Sequence, residues 1–517
     1  MTPDNHPNVP SPNPTSLQPK VHGPIFNWLD RRVGLRNILH EGLDEPIPGG
    51  ARWAYIFGSG LLFIFISQVI TGIFLALYYV PSADHAHISV AYITKAVAAG
   101  SFLRSLHVYG ASAMIIILVL HIGQTFLFGS YKGRRELLWL SGCVLLALVL
   151  GMAFTGYLLP WDEKAYFATA VGTNILSEVP FIGNSLKEFL RGGTQLGTLT
   201  VSRFFALHVF FIPAMIFLFV ALHIFLFRQA GAAGPVSESP VHPRQPSEPF
   251  YPRQLLMDLG FTLALICGLG LLAYFDPAPL GPRANPADTL YVPRPEWYYR
   301  SFFEWLKFWR GAVSIVGIVV IPLILAILFA GLPFYDRRLE RRPWRRPLAV
   351  ASFGIVFAGL VYLGARSYQD DARDPAVAAE LVQEAHQTEA YMRAPFSPQL
   401  AGPVPASTSS SPVVSASLSQ GSDLFMSGAA PSPAAQALVA RGQKIFQSHM
   451  CFGCHGQGGV GTAIAPRLIG IGSKFSPAQL EHIFHHPLPQ MNAGGMPPVK
   501  LSPQDMKALI AYLDSLK

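Results

Sequence analysis

Read for hydrophobicity alone, the chain alternates long apolar runs with short polar connections, and seven runs are long enough to cross a bilayer. They extend from about Trp53 to Tyr79, Leu103 to Phe128, Leu137 to Leu159, Phe204 to Phe227, Leu255 to Tyr274, Ala312 to Leu332 and Pro347 to Leu363. A helix satisfies its backbone hydrogen bonds internally, so apolar runs of this length predict transmembrane α-helices. Residues 1–50 read as a polar tail containing an amphipathic piece, Ile25–Leu39, suited to the membrane surface. Residues 160–201 read as an amphipathic connection, and 231–253 as a proline-rich one. Beyond the seventh run, 366–394 are predicted soluble and partly helical, and 395–434, rich in Pro, Ser and Ala, predict a flexible tether. The pattern predicts an all-α protein, a polytopic bundle of about seven transmembrane helices followed by a small all-α domain. The divisions fall at 1–50 (tail and surface helix), 51–230 (four membrane helices), 231–366 (three more), 367–434 (linker) and 435–517 (soluble domain).

Histidines then single out two of these runs. The second carries His107 and His121, 14 residues apart, and the fourth carries His208 and His223, 15 apart. On an α-helix, 14 steps return to within about 40° of the same face and 15 to within about 60°, and either spans roughly 20 Å. A lone intramembrane histidine serves equally well as a helix–helix hydrogen-bonding residue. Four, matched in spacing on two helices, supply two facing pairs at two depths, the ligand geometry of two non-covalent bis-histidine b-type haems within a four-helix core. Two neighbouring runs repeat the interval in glycine, with Gly58 and Gly72 in the first and Gly142 and Gly156 in the third. Glycine also serves generic close packing. At this interval it predicts clearance for the haem planes.

The composition agrees with a membrane protein: 517 residues, 51% hydrophobic, 13% charged, with a net charge of +8. Its basic charge could suggest a nucleic-acid partner. The densest cluster (Arg337, Arg338, Arg341, Arg342, Arg345 and Arg346) instead lies in a short connection between two apolar runs, as do Lys132, Arg134 and Arg135, and Arg228, Arg244 and Arg253. All three connections share one side if the runs alternate. That side is cytoplasmic, and no nucleic acid is implied. Lys307 and Arg310 oppose the bias. The seventh helix then delivers the C-terminal domain to the outer side. Cys143 and Cys267 lie singly in apolar runs and read as buried packing residues. The proline-punctuated N-terminus lacks the form of a secretory signal, so the first membrane helix is expected to direct insertion.

The soluble domain contains Cys451-Phe452-Gly453-Cys454-His455, the C-x-x-C-H attachment motif for a c-type haem. Cys451 and Cys454 would form the thioethers and His455 would be an axial ligand, with helices at Ala435–Gln447 and Pro503–Leu516 clasping the haem. Met496 is the preferred sixth ligand, with Met491, His482, His485 and His486 as alternatives. Pro295-Glu296-Trp297-Tyr298 falls in the outer connection between the fifth and sixth runs. A carboxylate among aromatics at that depth fits an interfacial belt as well as a catalytic group.

The four histidines, the paired glycines, Gly156-Tyr157-Leu158-Leu159-Pro160-Trp161-Asp162 and the Pro295–Tyr298 motif occur together and in order. Over roughly residues 25–365 the chain resembles cytochrome b of the cytochrome bc complexes, of bc1/b6f type. The resemblance implies that His107 and His208 hold the low-potential haem near the outer face, and His121 and His223 the high-potential haem near the cytoplasmic face. Both histidine helices enter from outside in the alternating topology, which gives the same pairing. Arg104 and Arg203 match positions near haem propionates. The 15-residue second pair, the Pro160-Trp161-Asp162 motif and the four-plus-three helices resemble the b6-type branch, here joined in one chain with the part that branch keeps as a separate subunit. Ile56 stands where that branch attaches an extra haem to cysteine, so no such haem is expected. The C-terminal domain resembles a class I cytochrome c.

The family implies quinol oxidation at an outer site, with Glu296 accepting a proton and Tyr157, Pro295, Trp297 and Tyr298 beside it. One electron would pass to a Rieske iron–sulfur protein and the fused haem c, then to a cytochrome c or terminal oxidase. The other would pass through the b haems to quinone at an inner site, for which Arg228 and Asp258 are candidates. The implied setting is a homodimeric complex among lipids of a bacterial inner membrane, with the cytochrome c domain periplasmic. The rival reading is a dihaem anchor that wires a dehydrogenase to the quinone pool without bifurcation, and it has no need for the Pro295–Tyr298 motif or an outer c domain.

Overall fold

The computed structural model describes residues 23–234, 236, 247–286, 288, 291–309, 311–338, 340–397, 433–448, 451, 455, 468, 470–485, 499 and 501–516. Two short helices, α1 (Pro24–Val33) and α2 (Leu35–Leu43), replace the single expected surface helix. They break at Gly34, whose φ of +64° is a left-handed conformation that glycine adopts without a Cβ clash. A two-stranded antiparallel ribbon, β1 (Pro46–Pro48) with β2 (Ser247–Pro249), follows on the same side.

The membrane helices are α3 (Phe57–Ala76), α5 (Gly100–Leu127), α6 (Glu136–Tyr157), the continuous α9 (Thr198–Ala206) and α10 (Ile212–Ala230), α11 (Arg253–Phe275), α13 (Ile321–Ala330) and α15 (Pro347–Arg373), with the short α12 (Arg300–Leu306) and α14 (Leu332–Tyr335) on either side of α13. Six are long and apolar enough to span a bilayer, and the stretch Val316–Ala330 is a shorter apolar helix. The sixth expected run is therefore shorter as a helix than its hydropathy suggested. Its first turns are a π-helix at Val316–Val320, and a matching π turn joins α9 to α10 at Leu207–Phe211. Both end just before an Ile-Pro pair, Ile212-Pro213 and Ile321-Pro322. Proline has no N–H and its ring crowds the carbonyl four residues back, so the preceding turn widens to reroute that carbonyl.

Hydropathy alone did not reveal three outer helices: α4 (Ala86–Lys95), and α7 (Glu163–Leu176) and α8 (Gly183–Arg191) within the expected amphipathic connection. Helix α7 starts cleanly because Asp162 caps it, its carboxylate accepting from Ala165 N–H at 2.9 Å. The seventh membrane helix extends ten residues past Leu363, and α16 (Pro375–Arg393) follows, capped by Asp374. Helix α16 is not a free arm. Tyr391, Met392 and Phe396 pack against Val90, Ala91 and Leu280, and Lys95 donates to the Tyr391 and Ala394 carbonyls.

Phe65, Ile115, Leu118, Val149, Ile212 and Ile216 form a buried layer contributed by the first four membrane helices, between the two histidine levels. Cys143 packs, half-buried, beside a second cluster of Phe126, Tyr131, Trp139 and Leu332. Cys267 is exposed on α11 rather than buried, because that helix turns much of its apolar surface outward, where lipid rather than protein would cover it.

The basic connections are partly internal. Asp336 accepts from Lys132 Nζ at 2.6 Å and from Tyr131 Oη, and Arg346 lies 3.7 Å away while donating to the Tyr131 hydroxyl and the Phe126 and Leu127 carbonyls. Burial pushes the Asp336 carboxyl up, but the bonds from Lys132 and Tyr131 outweigh it and hold it below the usual carboxylate range. Lys132 and Arg346 are both buried, so Asp336→Ala would strand two cations. Removing one member of a buried ion pair costs about 3 kcal/mol. The expected result is a clearly lowered thermal midpoint in detergent, and an unchanged midpoint would show that Asp336 does not join these two connections.

In the soluble domain α17 (Pro433–Ser448) packs against α19 (Pro503–Ser515), with α18 (Pro477–His485) alongside. A Cβ at Gly442 would lie 1.9 Å from the Ala508 carbonyl oxygen, so glycine is what lets these two helices touch. Arg441 pairs with Asp505 across the same crossing at 2.7 Å.

Candidate functional site

The two helices expected to carry histidine pairs bring them together by level. His107 and His208 have ring centres 6.2 Å apart, and at the other level His121 lies against Gly58 and His223 against Gly142. Two imidazoles on opposite faces of one metal, with metal–nitrogen bonds of about 2 Å and ring centres about 1 Å further out, have centres about 6 Å apart. The outer pair therefore fits a bis-histidine haem. The π turn at Leu207–Phe211 explains the unequal spacings, because it contains His208 and absorbs one extra residue. Fifteen residues then advance along this helix much as fourteen do along α5.

Each glycine of the two repeats lies against one of these imidazoles. A Cβ would sit 2.4 Å from His208 Cε1 at Gly156, 3.2 Å from His107 Cε1 at Gly72, 3.4 Å from His223 Cε1 at Gly142 and 3.7 Å from His121 Cε1 at Gly58. The expected clearance thus falls on the ligand rings themselves.

Three rings are also held at the second nitrogen. Thr71 Oγ1 donates to the Ser67 carbonyl and lies 2.9 Å from His107 Nδ1. Ser141 Oγ donates to the Leu138 carbonyl and lies 2.8 Å from His223 Nδ1. Thr155 Oγ1 donates to the Gly151 carbonyl and lies 3.3 Å from His208 Nδ1, which is also 3.1 Å from the Met152 carbonyl. A hydroxyl whose only proton is committed to a carbonyl can only accept from the ring. Nδ1 therefore carries the proton, and Nε2 keeps the lone pair a metal needs. The sequence carries this signal as a hydroxyl residue directly before glycine (Thr71-Gly72, Ser141-Gly142, Thr155-Gly156), which the glycine interval alone does not reveal.

At the outer end, Glu296 Oε1 pairs with Lys164 Nζ at 2.9 Å, and that ammonium lies 5.7 Å from the centre of the Tyr157 ring. Tyr157 Oη reaches the Arg294 carbonyl at 3.5 Å. Trp297 donates its indole N–H to Ser112 Oγ at 3.3 Å, and Tyr299 Oη donates to the Leu150 carbonyl at 2.7 Å. Tyr298 packs beside Trp297 with ring centres 5.3 Å apart, and burial pushes its hydroxyl up, leaving a neutral donor. Beyond Lys164 lies a group of carboxyls. Burial, then Asp288 and Glu384, push Glu163 up to about 7, and burial also raises Glu384.

The arginines are placed less simply. Arg104 is buried and donates to the Ala278 and Pro279 carbonyls, both at 2.7 Å, so it clamps α5 to the loop after α11. Arg203 is partly exposed and donates to the Phe189 carbonyl. At the other end of the bundle Arg228 donates to the Glu41 carbonyl at 2.8 Å and pairs with Glu45 at 3.3 Å. Asp258 is buried and accepts from Gln254 at 2.8 Å, while Gln254 accepts from Arg52 N–H. Next to this chain of contacts a cavity of about 600 Å³ is lined by Ala51, Arg52, Trp53, Phe128, Met257 and Trp344 among others.

Comparison with known proteins matches the chain in three segments. Residues 43–231 match the family model for cytochrome b/b6/petB, 283–383 that for cytochrome b(C-terminal)/b6/petD, and 439–517 that for cytochrome c. The cytochrome bc complex cytochrome b subunit of Chlorobaculum thiosulfatiphilum is 34% identical over 359 residues, 68% of this chain and 82% of the relative. The chain belongs to the cytochrome b family. A cytochrome b/c1 from Bradyrhizobium diazoefficiens is 31% identical over 358 residues, 68% of this chain and 51% of that protein. A menaquinol:cytochrome c reductase cytochrome b subunit from Bacillus subtilis is 40% identical over 220 residues, 41% of this chain and 98% of the relative. Among solved structures, a hyperthermophilic respiratory complex III superposes with a TM-score of 0.61 at 26% identity, covering 71% of this chain and 96% of that one.

This cytochrome b is therefore fused to a cytochrome c domain, as a multi-pass membrane subunit of a bc-type quinol:cytochrome c oxidoreductase, and its two families carry b-type and c-type haem. In the cytochrome c domain, Cys451 is half-buried against the cluster of Ile445, Phe446, Leu480 and Met506, and His455 is half-buried nearby in sequence. A cysteine facing the helix crossing suits a thioether at the edge of that core. Cys454, Met496, Met491 and His486 lie outside the described residues, while His482 and His485 lie on α18. Sequence reasoning on this cytochrome b missed Lys164, whose neighbours in sequence give no hint of a partner 132 residues away.

Proposed function

We propose that this chain is the cytochrome b/c subunit of a complex that oxidises quinol at its outer side and splits the two electrons. The observation that carries the reading is the meeting, at one end of the bundle, of Glu296 with the helix end that supports the outer histidine pair. Gly156 packs on His208, and its neighbour Tyr157 reaches the backbone of the Glu296 loop. Quinol loses two protons and two electrons to become quinone. Bound haem supplies a one-electron acceptor at each level, with His107 and His208 holding the outer group and His121 and His223 the inner.

The protein's own residues then divide the work. Glu296 Oε accepts a quinol hydroxyl proton, and Lys164 holds that carboxylate towards the outer surface, where Glu163, raised to about 7, can take a proton near neutral pH and burial also raises Glu384. Tyr157, Pro295, Trp297 and Tyr298 wall the site and limit water. Arg104 and Arg203, each with N–H groups to spare, would neutralise haem propionates. A Rieske protein would take one electron, and Cys451, Cys454, His455 and Met496 would hold the c-type haem that supplies the next one-electron carrier towards a cytochrome c or terminal oxidase. The other crosses to a quinone in the cytoplasmic-side cavity beside Asp258 and Arg228. The working unit is a homodimer in a bacterial inner membrane, with the c domain on the periplasmic side.

The test is oxidant-induced reduction in membranes supplied with quinol and with the inner quinone site blocked. An oxidant pulse is expected to leave the b haems more reduced, because each electron drawn towards haem c releases a partner into the membrane branch. Simple oxidation of the b haems would instead favour the linear dihaem anchor.

A further inference from the structure

The Glu296 loop is gripped from both ends by one acidic side chain. Arg294 immediately precedes Pro295, and Arg300 immediately follows Tyr299, so the two arginines bracket the five residues of the outer motif. Arg294 bonds Asp371 Oδ1 through Nε at 2.8 Å and through its terminal nitrogen at 2.6 Å, while Arg300 bonds Oδ2 at 2.7 Å. Asp371 and Arg300 are both buried. Asp371 stands near the outer end of α15, on a different element from the loop. The guanidinium of Arg300 also stacks 4.0 Å from the centre of the Tyr368 ring, one helical turn before Asp371. Each carboxylate oxygen thus serves one end of the loop, and moving either end relative to α15 breaks a charge-assisted bond.

We propose that Asp371 is a positioning residue for quinol oxidation, fixing the Arg294–Arg300 loop so that Glu296 is presented to quinol in one orientation. Such a clamp has value only where a small displacement matters, and misplacement by about 1 Å of a reacting group can cost up to about 100-fold in rate. Helix α15 passes through Asp374 into α16, so the clamp also ties the loop to the segment that leads to the cytochrome c domain. This inference rests on the proposed reading of Glu296.

The full-length protein in its complex would be assayed as wild type, Asp371→Asn, Asp371→Glu and Arg300→Gln. For Asp371→Asn the expected result is a fall of about 10-fold in kcat for quinol oxidation, larger than any change in KM. The haem spectra and b-haem reduction from the inner quinone site, measured with the outer site blocked, should stay at wild-type level. Asp371→Glu should recover part of the rate. Arg300→Gln, which leaves Arg294 paired, should fall between the two and decides the matter if Asp371→Asn does not assemble. Unchanged turnover in Arg300→Gln and Asp371→Asn would overturn the proposal, as would an equal loss of inner-site reduction, which marks a general packing role. A wild-type protein without oxidant-induced reduction would sink the parent reading itself, and this proposal with it.

Discussion

Gly156→Ala is expected to empty or distort the outer b-haem site while leaving the inner one intact. Its methyl group would lie 2.4 Å from Cε1 and 2.9 Å from Nδ1 of His208. Ordinary contact needs about 3.5 Å or more between carbons, so the ring must move. It has little freedom to do so: Nδ1 is held by Met152 and Thr155, and Nε2 must face the metal. Overpacking of this kind costs about 1–3 kcal/mol. Alanine's advantage over glycine in a helix returns only about 1 kcal/mol, and it cannot restore a displaced ligand. The same reasoning makes the series graded. Gly72→Ala and Gly142→Ala, at 3.2 and 3.4 Å, should shift potentials or weaken binding, and Gly58→Ala, at 3.7 Å, should be nearly silent. Redox-difference spectra with haem quantification on the four purified variants read this directly. Equal haem content in Gly156→Ala and Gly58→Ala would show that the glycines serve generic helix packing.

Glu296→Gln is the second large effect. Quinol oxidation should fall about 100-fold, at the lower end of what one proton-accepting side chain contributes. Stability cannot account for such a loss, because the Lys164–Glu296 pair is partly exposed, with side chains 44% and 30% accessible. A pair so placed contributes about 0–1 kcal/mol. Haem content and thermal midpoint should therefore match wild type while steady-state quinol turnover collapses. Full turnover in Glu296→Gln would leave the carboxylate as part of an interfacial belt and move the proton acceptor to another group.

What could be read beforehand divides along the range of the interaction. The membrane helices announce themselves locally, since roughly twenty apolar residues in a row have few other folds available. Histidine pairs and glycine pairs are equally local, and their helices meet as their spacing implies. Pro213 and Pro322 were visible, but whether a helix answers proline with a kink or a π turn depends on its neighbours, so the shorter sixth helix and the realigned His208 were not. Cys267 looked like a packing residue because an apolar sequence does not say which face meets protein and which meets lipid. Lys164 and Asp371 were beyond reach for a different reason. Their partners lie 132 and 77 residues away, on loops whose course no periodicity encodes. Helix α16 was expected as soluble sequence, and only the contacts of Tyr391, Met392 and Phe396 show that this segment packs back on α4 and the loop after α11.

The apolar layer of Phe65, Ile115, Leu118, Val149, Ile212 and Ile216 separates two histidine levels by roughly 20 Å, about two-thirds of the hydrocarbon thickness. A unit charge crossing the whole membrane does work of about 2.3 kcal/mol per 100 mV. An electron moved from the outer level to the inner would thus meet about 1.5 kcal/mol of opposing work per 100 mV, inside negative. That is close to a tenfold shift in its distribution between the two levels. On the proposed reading, the layer would make the pair of sites a voltage-sensitive balance: as the membrane charged, electrons would accumulate at the outer level, and the charged membrane would act back on quinol oxidation.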